Sequence, residues 1–134
     1  MSNNILFICS HGDFAKEIIR SAEMIVGPME NVIPFCLKPG MSGDDFLQIV
    51  EAQAQAHCND HILAIADLFG GTPCTTCARL IRDYDLHIIT GLNLGMLIEV
   101  YSMLDTSDIK EIKKTALTAL QMSCVDVNKK MGLD

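Results

Sequence analysis

Short unbroken apolar runs alternate with longer stretches whose apolar residues recur at helical spacing, starting at the N-terminus. Ile5-Leu6-Phe7-Ile8-Cys9 is continuously apolar, the pattern of a strand covered on both faces. Beyond Gly12, residues Phe14, Ala15, Ile18, Ile19, Ala22, Ile25 and Val26 follow a helical period until Gly27-Pro28 stops it. Asn31 to Leu37 predicts a second strand, and the proline inside it assigns that strand to a sheet edge. Pro39-Gly40-Met41-Ser42-Gly43 reads as a loop, with Ser42 and Asp45 placed to cap a helix running to about Cys58.

The third unit is the clearest. His61-Ile62-Leu63-Ala64-Ile65-Ala66 predicts a buried strand that ends at Asp67, and Leu68-Phe69-Gly70-Gly71-Thr72-Pro73 predicts a tight turn into a helix. The glycines permit the turn, Thr72 is expected as N-cap, and Pro73 suits the first helical position. That helix is expected to reach about Arg82. His87-Ile88-Ile89-Thr90 is a fourth strand, Gly91 breaks it, and Asn93 caps a helix through Met96, Leu97 and Val100. Ile109, Ile112, Leu117 and Leu120 belong to a final helix, and the alternation in Ser123-Cys124-Val125-Asp126-Val127 suggests a short extra strand.

Four strand-helix repeats joined by right-handed crossovers specify an α/β fold: a doubly wound, mostly parallel four-stranded sheet of order 2-1-3-4 with helices on both faces. No linker, repeat or low-complexity tract divides the chain, so residues 1-134 are expected to form a single domain. The formal net charge of -7 argues against a nucleic-acid partner, which usually needs a basic face. With no apolar run long enough to span a bilayer and no basic segment leading a signal-peptide core, the expectation is a cytoplasmic protein with no direct membrane insertion. In that compartment the six cysteines read as reduced, mostly buried residues, and their spacing offers no metal site.

In an open sheet of this order, ligands bind past the carboxyl ends of the strands, at the switch between strands 1 and 3. Ser10-His11-Gly12 and the Asp67 turn both lie there, so a histidine and a carboxylate from distant positions meet in one crevice. A carboxylate that accepts from one imidazole nitrogen leaves the other as a nucleophile, which makes Asp67 a candidate to orient His11. The helix start at Gly70, Gly71 and Thr72 can hold an oxyanion, and phosphoryl transfer depends chiefly on such positioning and charge stabilisation. A phosphohistidine is the economical product, with neither metal nor cofactor required. Each feature also has a plain structural reading: Gly70 and Gly71 as turn residues, Asp67 as a cap, Phe14 and Phe69 as core instead of an exposed dock for a partner. His57, His61 and His87 fall at the opposite sheet edge and receive no function. Two other classes compete. Cys74-Thr75-Thr76-Cys77 suits a thiol redox protein, and a nucleotide-binding protein would need a Gly-rich fingerprint or Walker-type loop that the sequence lacks.

Three segments carry a family resemblance: Ser10-His11-Gly12, Ala66-Asp67-Leu68-Phe69-Gly70-Gly71-Thr72-Pro73, and Gly91-Leu92-Asn93-Leu94-Gly95-Met96-Leu97-Ile98-Glu99. In this order and at these separations they resemble the enzyme IIA component of the mannose family of the bacterial phosphoenolpyruvate-dependent sugar phosphotransferase system, over nearly the whole chain. The resemblance implies that His11 takes a phosphoryl group on Nε2 from the histidine phosphocarrier protein and donates it to a histidine of the enzyme IIB component. It further implies that Asp67 holds the other ring nitrogen and that Thr72 contacts the phosphoryl group. A homodimer that exchanges a C-terminal antiparallel strand is implied as well, giving the Ser123 to Val127 tail a role. With the sequence ending at Asp134, the enzyme IIB acceptor is expected to be a separate protein. Asp13 departs from the aromatic that some relatives carry beside the histidine. A phosphorylation-dependent regulatory module, or one feeding a dihydroxyacetone kinase, is the alternative within this group.

Overall fold

The computed structural model describes residues 3–133. Its element order is β1 (Asn4–His11), α1 (Phe14–Val26), β2 (Val32–Leu37), α2 (Gly43–Ala56), β3 (His61–Ala66), α3 (Thr72–Ala78), β4 (Leu86–Thr90), α4 (Leu94–Met103), α5 (Ile109–Ser123) and α6 (Val127–Lys130). The four strands form one all-parallel sheet in the order β2-β1-β3-β4. The apolar runs of β1 and β3 occupy its centre because helices cover both of their faces. Pro34, which has no N–H for a ladder, sits exposed on the edge strand β2.

Strand parity divides the core. Leu6, Ile8, Leu63 and Ile65 meet Ile18, Ala22, Met96, Leu97, Val100, Ile112 and Ala116 on one face, packed under α1, α4 and α5. Ile5, Phe7, Cys9, Ile62, Ala64 and Ala66 meet Phe46, Val50, Ala54, Cys77 and Leu80 on the other, under α2 and α3. Phe7 and Phe35 pack there in a tilted arrangement with ring centroids 4.8 Å apart. Phe7 is fully buried, so truncating it to alanine is expected to cost about 3–5 kcal/mol.

The sheet register positions the site. β1 pairs with β3 only as far as Cys9 opposite Ala66, yet it continues beside β2 to His11 opposite Leu37. His11 therefore ends the longer strand where the neighbouring chain has already turned away at Asp67, which is the switch point of the topology.

Three local expectations need correction. Thr72 is not the N-cap of α3: Gly71 takes that position in an extended conformation, Thr72 is the first helical residue and Pro73 the second. The chain stays extended through Gly71 because it passes directly against the His11 ring, as described below. α3 also stops at Ala78 instead of reaching Arg82, because the N–H groups of Arg79, Leu80 and Ile81 bond three residues back and tighten the chain into turns. The Ser123 to Val127 segment forms no strand. α5 runs through Ser123, Cys124 and Asp126 are extended without a partner strand among the described residues, and the Asp126 side chain caps α6 by accepting from the Lys129 N–H. The capping box of Ser42 with Asp45 and the Asn93 cap of α4 are formed as the sequence indicates.

Candidate functional site

Every helix that follows a strand in this fold begins at the carboxyl edge of the sheet, so that edge gathers free backbone N–H groups and the positive ends of helix dipoles. His11 and Asp67 are the polar side chains that the two central strands deliver to it. The Asp67 Oδ2 atom accepts two bonds from the same residue, one from the His11 backbone N–H at 2.9 Å and one from the ring Nδ1–H at 2.9 Å. The carboxylate thus fixes both the peptide and the tautomer of His11. Its backbone is tied in turn to β1, since the Asp67 N–H donates to the Cys9 carbonyl at 3.0 Å. The other carboxylate oxygen, Oδ1, is buried and has no hydrogen-bond partner among the described residues.

The two side chains differ in exposure, 48% for His11 and 14% for Asp67, so the carboxylate is sheltered while the imidazole reaches solvent. Nδ1 faces inward to Asp67, and Nε2 is left without a protein partner among the described residues. This is the arrangement of a positioned nucleophile.

Gly71 shapes the site through space, not through its own torsions. Its φ is −72°, open to any residue, but a Cβ there would stand 2.8 Å from His11 Cε1 and 3.4 Å from Nε2. Only glycine lets the turn lie against the ring. Gly70, at φ +82°, supplies the left-handed step that brings the chain round. Because Gly71 caps α3, the Thr72 hydroxyl is not spent on capping; its methyl faces α2, 3.6 Å from the Cβ position of Gly43. Beside the ring, then, stand the Nε2 lone pair, which is an acceptor, and the opening of α3 after Gly71, with no group of three or more metal-ligating side chains among the described residues.

Phe14 and Phe69 are 44% and 84% exposed, and Leu68 beside them is also exposed, so the apolar residues around the ring are surface and not core. Asp13 forms an ion pair with Lys38 next to the site. Cys74 and Cys77 are both buried, and Cys77 pairs with Cys9 instead, at an Sγ–Sγ separation of 3.5 Å. That bond, with burial, pushes the Cys9 thiol well above its usual pKa, which suppresses thiolate chemistry. Ser10 is the residue the sequence reading left without a role: it is buried, and its hydroxyl bonds within the His11 turn. Its polarity at the end of an apolar strand was the available signal.

Comparison with known proteins agrees with this architecture. The family model described as PTS system fructose IIA component matches residues 5–117. The PTS system mannose-specific EIIAB component of Escherichia coli strain K12 is 30% identical over 96 residues, covering 70% of this chain. The chain spans only 30% of that relative's length. The fructose-specific EIIA component of Bacillus subtilis strain 168 is 30% identical over 123 residues, 88% of this chain and 82% of that protein. Among solved structures, phosphotransferase system component EIIA from Streptococcus agalactiae superposes with a TM-score of 0.86 at 28% identity, covering 94% of this chain and 98% of that one. No helix among the described residues is long and apolar enough to cross a membrane. The chain belongs to the mannose-family enzyme IIA components of the sugar phosphotransferase system.

Proposed function

We propose that this chain carries the phosphoryl group on Nε2 of His11, receiving it from the histidine phosphocarrier protein and passing it to an enzyme IIB component in the cytoplasm. The observation that carries the reading is the double bond pattern of Asp67 Oδ2, which holds Nδ1–H and leaves Nε2 exposed as the nucleophile.

In loading, the Nε2 lone pair attacks the phosphorus of the donor's phosphohistidine. The donor's N–P bond breaks and its electron pair returns to the donor ring. The His11 ring gains positive character as the new N–P bond forms, and the adjacent carboxylate stabilises it. The buried, unpartnered Oδ1 of Asp67 is a cost in the resting state that positive charge on the ring offsets. The Thr72 hydroxyl and the opening turn of α3, admitted by Gly70 and Gly71, are the proposed donors to the equatorial oxygens. Transfer to enzyme IIB is the same step reversed onto a new acceptor. Phe14, Phe69 and Leu68 form the proposed apolar dock around the ring, where a partner excludes water during transfer.

The C-terminal region supports a homodimer. Met122, Val125, Val127, Met131 and Leu133 are all exposed, and a cavity of about 610 Å³ opens between α4 and α5, lined by Gly95, Glu99, Lys114, Met122 and Ser123 among others. An exchanged tail would bury such residues.

The test is incubation with phosphoenolpyruvate, enzyme I and the histidine phosphocarrier protein, followed by mass measurement of the intact chain. The expected result is a gain of one acid-labile phosphoryl group, lost again on addition of enzyme IIB. A full gain in His11→Ala would overturn the site.

A further inference from the structure

We infer that Ser10 is a positioning residue for phosphoryl transfer: its buried hydroxyl clamps the turn that carries His11 and so determines where Nε2 stands. The inference rests on the phosphohistidine reading above and deepens it.

Ser10 is fully buried, an unusual location for a serine. Strand parity sends its side chain to the face of β1 opposite that of His11, beneath the start of α1. There Oγ accepts from the Ala15 N–H at 2.7 Å and donates to the Gly12 carbonyl at 3.2 Å. Such bonds are usually made by a helix's own N-cap residue. Asp13 occupies that position, yet its side chain makes no capping bond and pairs with Lys38. The orphan N–H of α1 is thus satisfied from the strand, five residues back, across the peptide units of His11 and Gly12.

The consequence is a closed ring of restraints around His11. Its N–H is held by Asp67, the Gly12 N–H donates to the Leu37 carbonyl at 2.8 Å, and the Gly12 carbonyl is held by Ser10. Gly12, at φ +55°, permits so tight a turn. Asp67 restrains the ring and the incoming peptide, whereas Ser10 restrains the outgoing one and anchors it to α1. If Ser10 served only as a remote helix cap, its loss would lower stability and leave the chemistry of His11 untouched. As a clamp, its loss frees the turn, and a displacement of about 1 Å at a reacting atom is worth about a hundredfold in rate.

The experiment compares wild type with Ser10→Ala, Ser10→Thr and Ala116→Gly, the last a destabilising change in the core beneath α5 and away from the site. Single-turnover loading is measured from the phosphorylated histidine phosphocarrier protein, with thermal unfolding recorded in parallel. The ¹⁵N resonances of the His11 ring report how firmly one tautomer is held. Ser10→Ala is expected to load about a hundredfold more slowly and to show tautomer averaging, Ser10→Thr to recover most of the rate, and Ala116→Gly to load at the wild-type rate despite a lowered Tm. Loading at the wild-type rate by Ser10→Ala, or an Ala116→Gly defect equal to that of Ser10→Ala, overturns the clamp and leaves the phosphohistidine reading intact. Should Ser10→Ala not fold, Ser10→Thr decides: a wild-type ring spectrum and rate support the clamp, and a slow, averaged ring overturns it. Failure of wild type itself to load overturns the phosphohistidine reading, and the clamp with it.

Discussion

The two edges of the sheet both carry histidine–aspartate pairs, and only one of them has the makings of a phosphoryl site. At the carboxyl edge His11 Nδ1 donates to Asp67 at 2.9 Å; at the amino edge His57 Nδ1 donates to Asp60 at the same 2.9 Å, and His61 pairs with Asp85. Measured by the pair alone, the three are alike. What separates them is their setting. The carboxyl edge receives the N-termini of the helices, which favour an incoming dianion, while the amino edge receives their C-terminal carbonyls, which repel it. Asp67 lies 56 residues from His11, whereas Asp60, sheltered to a similar degree, is a neighbour within one turn of His57, and His61 and Asp85 are both nearly half exposed. An imidazole oriented by a carboxylate is thus a common surface motif. What the carboxyl edge adds, and the proposed carrier role needs, is a glycine turn against the ring and a helix opening beside it.

The largest expected effect tests that contrast directly. His11→Ala should take up no phosphoryl group from the phosphorylated histidine phosphocarrier protein, while His57→Ala and His61→Ala should load as wild type; label on His57 or His61 would erase the distinction between the edges. Next in size, Asp67→Asn is expected to slow loading by about a hundredfold or more, since an amide neither enforces the Nδ1–H tautomer nor balances the charge forming on the ring. Asp85→Asn, the matching change at the other edge, should leave the rate unchanged. Equal rates for the two variants in a rapid-quench assay would show that the carboxylate is not used.

The sequence made the order of the sheet legible because the strands at its centre are unbroken apolar runs, and the Pro34 edge strand follows from a missing N–H. It also made the meeting of His11 with Asp67 legible, since the strand order alone brings both to one crevice. The role of Gly71 was hidden. Its torsions are ordinary, and the requirement for glycine comes from the imidazole 2.8 Å from where its Cβ would be, a contact across 60 positions of sequence. The N-cap of α3 was misplaced for the same reason. Thr72 has the better capping chemistry, but the packing of Gly71 on the ring decides where the helix starts. Ser10 was overlooked because its bonds to Gly12 and Ala15 depend on how the strand leads into α1. The C-terminal tail alternates as a strand would, but forming one needs a partner, and a short segment capped by Asp126 turns into α6 instead. Gly71→Ala is therefore expected to push the ring away from the α3 opening and slow loading about ten- to a hundredfold, with little change in Tm. A crystal structure of that variant with His11 undisturbed would place the importance of Gly71 elsewhere.

The smallest effect belongs to the amino edge and concerns stability instead of transfer. The Asn3 N–H and then His57 hold Asp60 below its ordinary carboxylate pKa of 3.8. A carboxylate whose folded pKa is depressed stabilises the fold above its unfolded value, and that stabilisation is lost as pH falls through the folded value. Asp60→Asn should therefore lower Tm slightly at neutral pH, where solvent screening keeps the contribution small. The difference from wild type should shrink as the solution is acidified below about pH 4. Phosphoryl loading should not change at any pH, because this pair lies at the edge where helix carbonyls gather. Thermal scans at several pH values alongside loading rates check both halves: a Tm difference that persists at pH 2 would remove the ionised Asp60 carboxylate as its cause, and a loading defect would mean the two edges are coupled through the strands that join them.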